Sequence, residues 1–217
     1  LRRRLRPANI PGESLLLPIR PLVGRKGGAT AGAMQQIASS AQLRASVMRW
    51  ALFTIPTCLG LGFLSARAAG SVANNPWFAM LDKPALYPPP IVFPIVWSAL
   101  YVLMGFALAL IGAARGARAR GLAIGVFALQ LLVNLSWSPV FFAMHRLTAA
   151  LEIIVALIVL VLLTLVLAWR VRRSAAALLL PYLAWVCFAA FLNLQFLQLN
   201  PGADGADSSG AAVRVQL

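Results

Sequence analysis

The sequence predicts an all-α integral membrane protein, a bundle of five transmembrane helices with a proline-rich loop between the first and second. Three observations lead there. Of 217 residues, 61% are hydrophobic and only 11% charged, with a mean hydropathy of +0.83, more apolar surface than a soluble domain of this length can cover. The apolar residues fall into five segments, at about 48–66, 91–113, 121–143, 149–169 and 175–198. Each is close to the about 20 residues that cross roughly 30 Å of hydrocarbon as a helix. The basic residues lie in the amino-terminal stretch and the short connections, so the net charge of +14 reads as membrane topology and no nucleic-acid partner is expected.

Residues 1–47 are expected to be a disordered basic extension. Arg2, Arg3, Arg4, Arg6, Arg20, Arg25, Lys26 and Arg44 face the single acid Glu13, while Pro7, Pro11, Pro18 and Pro21 interrupt any helix. An Arg-rich, acid-poor start also fits an organellar transit peptide, which would imply a mitochondrial membrane. The Ala- and Arg-heavy usage favours a bacterial chain instead, with Met34 as an alternative start. The transmembrane domain is placed at residues 48–200, and residues 201–217 are expected to form a flexible carboxyl tail.

The stretch from Trp77 to Gly105, WFAMLDKPALYPPPIVFPIVWSALYVLMG, joins a stiff loop to a long apolar helix. Pro84, Pro88, Pro89, Pro90 and Pro94 fix φ and remove backbone donors, so residues 84–90 cannot be helix interior. Beyond them Phe93, Trp97 and Tyr101 recur every four residues and stack along one helix face. A rigid loop over an aromatic stripe is the build of a lidded pocket, although such stripes also serve plain packing.

The connections RGARAR (115–120) and RVRR (170–173) are strongly basic, whereas the first loop has only Arg67 and Lys83 and the third only Arg146. Positive-inside reasoning puts the amino terminus in the cytoplasm of a bacterial cell, with the proline-rich loop and carboxyl terminus outside. Small residues one turn apart, Gly62/Ala66, Gly105/Ala109 and Gly121/Gly125, mark close helix approach. Gly121 and Gly125 are also the candidate homodimer interface. Cys58 and Cys187 sit in separate apolar runs without a CxxC neighbour and read as buried small hydrophobes, not metal ligands.

Polar side chains within spans are costly and therefore informative. Gln130, Asn134 and Ser138 form one stripe on the third span, and Trp185, Ala189 and Asn193 have the same spacing on the fifth. Two readings stand: interhelical hydrogen bonds that fix the bundle, or walls of a cavity suited to a flat hydrophobic ligand.

WFAMLDKP, the following prolines and VFPIVWSALYVLMG, then LVNLSWSPVFF (132–142) and PYLAWVCFAAFLN (181–193), resemble the tryptophan-rich sensory protein family, also called translocator proteins or peripheral-type benzodiazepine receptors. The resemblance spans roughly residues 48–200. Leu86 and Ile91 depart from it, standing where members usually carry Trp and often carry another aromatic. It implies a pocket for porphyrin or haem beneath the loop, with no obligatory cofactor. The matching positions are Trp97, Tyr101, Asn134, Ser138, Trp185 and Ala189, under a lid containing Lys83, Pro84, Pro88 and Pro89. Trp97 Nε1–H and the Asn134 amide would anchor the ligand, Trp185 would form a stacking wall, and Ala189 would leave room.

The implied function is sensing, sequestration or transport of tetrapyrrole intermediates. A second implied reading is a light- and oxygen-dependent porphyrin-degrading enzyme using Trp97 and Trp185. A small-molecule exporter is a rival reading, disfavoured because no carboxylate lies mid-span. Glu152 suits the first turn of the fourth span, and His145 is read as interfacial. No catalytic constellation and no metal-spaced cluster appears, and LNLQFLQLN at the end of the fifth span lacks the Tyr and basic residue of the proposed sterol motif.

Overall fold

A computed structural model describes residues 27–70 and 74–205. The helices are α1 (Gly27–Ala68), α2 (Pro76–Met80), α3 (Val92–Ala113), α4 (Arg120–Ser138), α5 (Leu147–Val171) and α6 (Arg173–Leu199). A π-helical turn, Pro139–Ala143, continues α4. Five spans are long and apolar enough to cross a membrane: Ala41–Ala68 of α1, α3, Arg120–Ala143, α5 and α6. No strand occurs among the described residues.

Two boundaries differ from expectation. Residues 27–47, assigned above to the extension, are helical. The prolines that argue against a helix end at Pro21, and GATAGAMQQIASSAQLRASVM beyond them consists largely of residues that tolerate or favour helix. The rest of the extension lies outside the described residues, as do residues 206–217 of the expected tail. Residues 201–205 are not loose: Gly205 N donates to the His145 carbonyl at 2.8 Å, and the Ala203 carbonyl accepts from Trp77 Nε1 at 3.2 Å.

The described residues from 41 to 205 form one compact unit. Its helices form a ring in the order α1, α3, α6, α5, α4. The α3–α6, α6–α5 and α5–α4 neighbours share long faces. α1 closes the ring through close backbone approach. An added Cβ at Gly105 would lie 2.6 Å from Ile55 Cα, and at Gly112 2.6 Å from the Trp50 ring. Thr54 Oγ1 donates to the Gly105 carbonyl at 2.7 Å, and Ser65 Oγ donates to the Leu135 carbonyl of α4 at 2.6 Å. Gly62 lies directly against the Tyr101 ring.

The core is apolar, with Met104, Ile111, Phe127, Leu157, Val161, Leu179 and Val186 all buried. Outward faces are equally apolar: Leu52, Phe53, Phe63, Leu132, Val159 and Trp169 are each more than half exposed. Water would penalise such a surface and hydrocarbon does not, so these faces contact lipid.

The connections group at two ends as expected. The arginine connections Arg115–Arg120 and Arg170–Arg173 lie at one end, where Arg120 Nε donates to the Gly112 carbonyl at 2.9 Å and the guanidinium covers Trp50 at 5.7 Å. The proline-rich loop, the α4–α5 turn and residues 200–205 meet at the other, as Asp82–Asn200 and Asn75–Phe142 hydrogen bonds require. Of the small-residue pairs, Gly62 and Gly105 face the interior, whereas Gly121 and Gly125 are exposed, and a Cβ added at either would meet open space.

These contacts give two expected outcomes. Gly105→Ala pushes α1 from α3 and costs about 1–3 kcal/mol, whereas Gly125→Ala costs under about 0.5 kcal/mol, read from thermal unfolding in micelles. In sealed vesicles Ala85→Cys and Gly202→Cys react with an impermeant thiol reagent from the same face and Gly116→Cys only from the other; labelling of 85 and 116 together would contradict the arrangement.

Candidate ligand site under the proline-rich loop

The α4 polar stripe turns inward. Gln130 and Asn134 lie one turn apart, both buried, and each carboxamide oxygen accepts a phenol from a different helix. Tyr182 Oη of α6 donates to Gln130 Oε1 at 2.9 Å. Tyr101 Oη of α3 donates to Asn134 Oδ1 at 2.8 Å. Trp97 joins both tyrosines, stacked on Tyr101 at 5.6 Å and edge-on to Tyr182 at 6.4 Å. Trp97, Tyr101 and Asn134 thus come together as expected, with Tyr182 as an additional member. Ser138 continues the row at the last turn of α4 and is half-buried.

Trp185 lies nearer the loop, in contact with Phe93 at 5.9 Å and Phe188 at 5.6 Å, while Phe93 meets Tyr87 of the loop at 5.3 Å. The rings therefore form a column from Tyr87 through Phe93 and Trp185, alongside the Trp97–Tyr101–Tyr182 group. Two buried side-chain nitrogens among the described residues lack a hydrogen-bond partner, Gln130 Nε2 and Trp185 Nε1. Each such donor costs about 1–3 kcal/mol of desolvation. Trp185, expected as a wall, thus also presents an unpaired N–H.

Ala189 is half-buried against the core, and so is Ala190. Asn193 departs from the stripe expected on this helix. Its Oδ1 accepts from Trp137 Nε1 at 3.1 Å, and its Nδ2 donates to the Leu147 carbonyl at 3.0 Å. It fastens α6 to α4 and α5. Helix periodicity aligns residues 185, 189 and 193 only approximately, since a helix of 3.6 residues per turn drifts about 40° with each four-residue step.

The loop is held by residues other than its prolines. Pro84 is buried, but Pro88 is half-buried and Lys83 and Pro89 are exposed. Lys83 lies over the Phe78 ring at 5.3 Å. A second apolar cluster does the holding: Trp77, Phe78 and Leu81 pack on Phe141, Leu147, Ala150 and Phe196. Asn200 pairs reciprocally with Asp82, accepting from its N–H at 2.8 Å and donating to its carbonyl at 3.0 Å. Trp77 stacks on His145 at 4.5 Å, and His145 has φ of 55°, the left-handed region. Asn75 caps α2, accepting from Phe78 N at 3.0 Å, with Pro76 following. That Asn–Pro start is readable in sequence; the Asn200–Asp82 pair, far apart along the chain, is not. Leu86 and Ile91 point outward, 64% and 65% exposed. Burial pushes the Tyr87 phenol above its ordinary pKa, so it stays neutral.

A separate open cleft of about 350 Å³ lies among Arg146, Thr148, Glu152 and Asp204. Asp204 there accepts from Thr148 Oγ1 at 2.5 Å and Thr148 N at 3.3 Å, which caps the start of α5. Its charged lining suits no flat apolar molecule, and the aromatic column is the candidate site. No metal-holding cluster occurs among the described residues.

The TspO/MBR family matches residues 54–199. The chain is 38% identical over 154 residues to the tryptophan-rich protein TspO of Chlorobaculum tepidum, covering 69% of this chain and 98% of that protein. It is 34% identical over 158 residues to the tryptophan-rich sensory protein of Cereibacter sphaeroides, covering 70% and 94%. It is 36% identical over 155 residues to the translocator protein of Sus scrofa, covering 70% and 90%.

The reciprocal Asn200 pair predicts loop mobility. Asn200→Ala removes both bonds to Asp82, and amide exchange over residues 81–87 accelerates about tenfold, while exchange in the α5 core stays unchanged. Unaltered loop exchange would show that the aromatic cluster alone holds the lid.

Proposed function

Because this chain belongs to the TspO/MBR family, we propose that it binds a porphyrin-type tetrapyrrole, haem included, within its helix bundle and serves in sensing, sequestering or moving tetrapyrrole intermediates. The observation that carries this is the ring column beneath the loop, Tyr87, Phe93, Trp185, Trp97, Tyr101 and Tyr182, set beside two carboxamides. Aromatic faces stack on a flat macrocycle, and a few fixed polar groups orient it. Ala189 leaves room at the wall, and Ser138 stands at the end of the amide row. The rings touch one another here, so a macrocycle enters as Trp97 or Trp185 rotates aside and the loop lifts. The loop carries Lys83, Pro84, Pro88 and Pro89, with Trp77 and Phe78 as its anchors.

The names of the relatives, sensory and translocator protein, fit a binding role as readily as a transport role. The arginine end faces the cytoplasm of a bacterial cell in this reading, by positive-inside reasoning. The exposed Gly121/Gly125 face is where a homodimer would form.

Titration of the purified chain with protoporphyrin IX, followed by tryptophan fluorescence, tests the reading. Saturable quenching is expected. Ala189→Thr adds bulk to the wall and weakens binding about five- to a hundredfold. Cys187→Ser, two residues away on an exposed face, is the control and leaves the affinity unchanged. Absence of saturable binding to the unaltered chain would sink the proposal.

A further inference from the structure

Gln130 Nε2 and Trp185 Nε1 are both donors, and neither nitrogen can accept a hydrogen bond. One residue relates them, by a hydrogen bond to Gln130 and by helix spacing to Trp185. Tyr182 gives its hydroxyl to Gln130 Oε1 at 2.9 Å, and it lies three residues before Trp185, hence on the same side of α6. Gln130 and Tyr182 are each 1% exposed, so neither finds a partner in solvent. Hydrocarbon supplies none either. Both N–H donors are buried and unused, next to the rings proposed above to hold a ligand.

We propose that Gln130 is a ligand-binding residue: its amide N–H, together with the Trp185 indole N–H, takes an oxygen acceptor, carboxylate or carbonyl, carried on the edge of a flat apolar ligand. Tyr182 is the positioning residue. By occupying the carboxamide oxygen, its phenol turns the Gln130 NH₂ to the ligand side. Tyr101 acts on Asn134 in the same way, through Oδ1 at 2.8 Å. With both carboxamide oxygens engaged, the site offers donors and selects molecules that accept. The inference rests on the bundle-interior reading above and adds the chemistry by which that site chooses.

The experiment uses the full chain in lipid nanodiscs and two probe pairs. Protoporphyrin IX carries two carboxylates, and etioporphyrin has the same macrocycle with alkyl groups only. Fluorenone carries one carbonyl, and fluorene is its hydrocarbon parent. The unaltered chain prefers the oxygen-bearing member of each pair by about tenfold, the worth of a desolvated hydrogen bond. Gln130→Leu removes the donor and brings that preference to within about twofold, while affinity for etioporphyrin and fluorene holds. Tyr182→Phe keeps the Gln130 amide but frees it to rotate, and the preference falls there too; it is the variant to read if Gln130→Leu does not fold. Equal weakening of all four probes, or an unchanged preference in both variants, overturns the assignment. If fluorenone discrimination depends on Gln130 while neither porphyrin binds, the tetrapyrrole reading falls and the role of Gln130 stands. If porphyrins bind with no Gln130-dependent preference, the reverse holds. No binding by either pair overturns both.

Discussion

Hydrocarbon accepts no hydrogen bonds, and the arrangement of this bundle follows from that constraint. Each polar side chain inside a span must find a partner on its own or a neighbouring helix. Thr54 turns to Trp50 and Gly105 carbonyls, Thr164 to the Leu160 carbonyl, and Ser65 to the Leu135 carbonyl. Asn193 spends both amide atoms, one on Trp137 and one on Leu147. These bonds set which helices are neighbours and in what rotation. Apolar packing alone would not, since lipid tails are as apolar as the side chains they touch. Against that pattern the donors at Gln130 and Trp185 are the exceptions among the described residues, and exceptions of this kind are where binding is to be sought.

The two ends of the molecule obey different rules. At the arginine end, connections are short and charged, and the helices run directly into one another; Arg172 alone separates α5 from α6. At the loop end a second aromatic cluster, distinct from the main core, is built from four separate pieces of chain: α2, the π-helical turn, the start of α5 and the end of α6. The π-helical turn inserts an extra backbone step after Pro139, so Trp137 reaches Asn193 while Phe141 enters the loop cluster. Trp137 stacks on Phe141 at 5.0 Å, and it is the joint between the two clusters.

Much of this architecture is legible in the sequence. Span number and approximate ends follow from apolar length, the helix-free loop from Pro84 and Pro88–Pro90, and the pairing of ends from where arginines cluster. The motifs also name most of the inner rings, because Trp97 and Tyr101 are one turn apart and must share a face. What is not legible is partnership across helices. Sequence shows a row at Gln130, Asn134 and Ser138 but not that two tyrosines from different helices close on its first two members. Nor does it show that Asn193 looks away from Ala189, or that Asn200 fastens the loop, since Asp82 is remote in the chain. The helical stretch before residue 48 has a simpler explanation: the prolines that bar a helix all lie before residue 22 and place no restriction on the residues beyond them.

Gly62 contributes no side chain to the aromatic site, yet its hydrogen face is the seat of the Tyr101 ring. Any larger residue there moves that ring, and with it the phenol that holds the Asn134 oxygen. If the proposed site holds, its selectivity is heritable through α1, from a position that supplies no side chain to it. A map of substitutions that alter ligand choice will extend beyond the map of ligand contacts, and its outlying point is position 62.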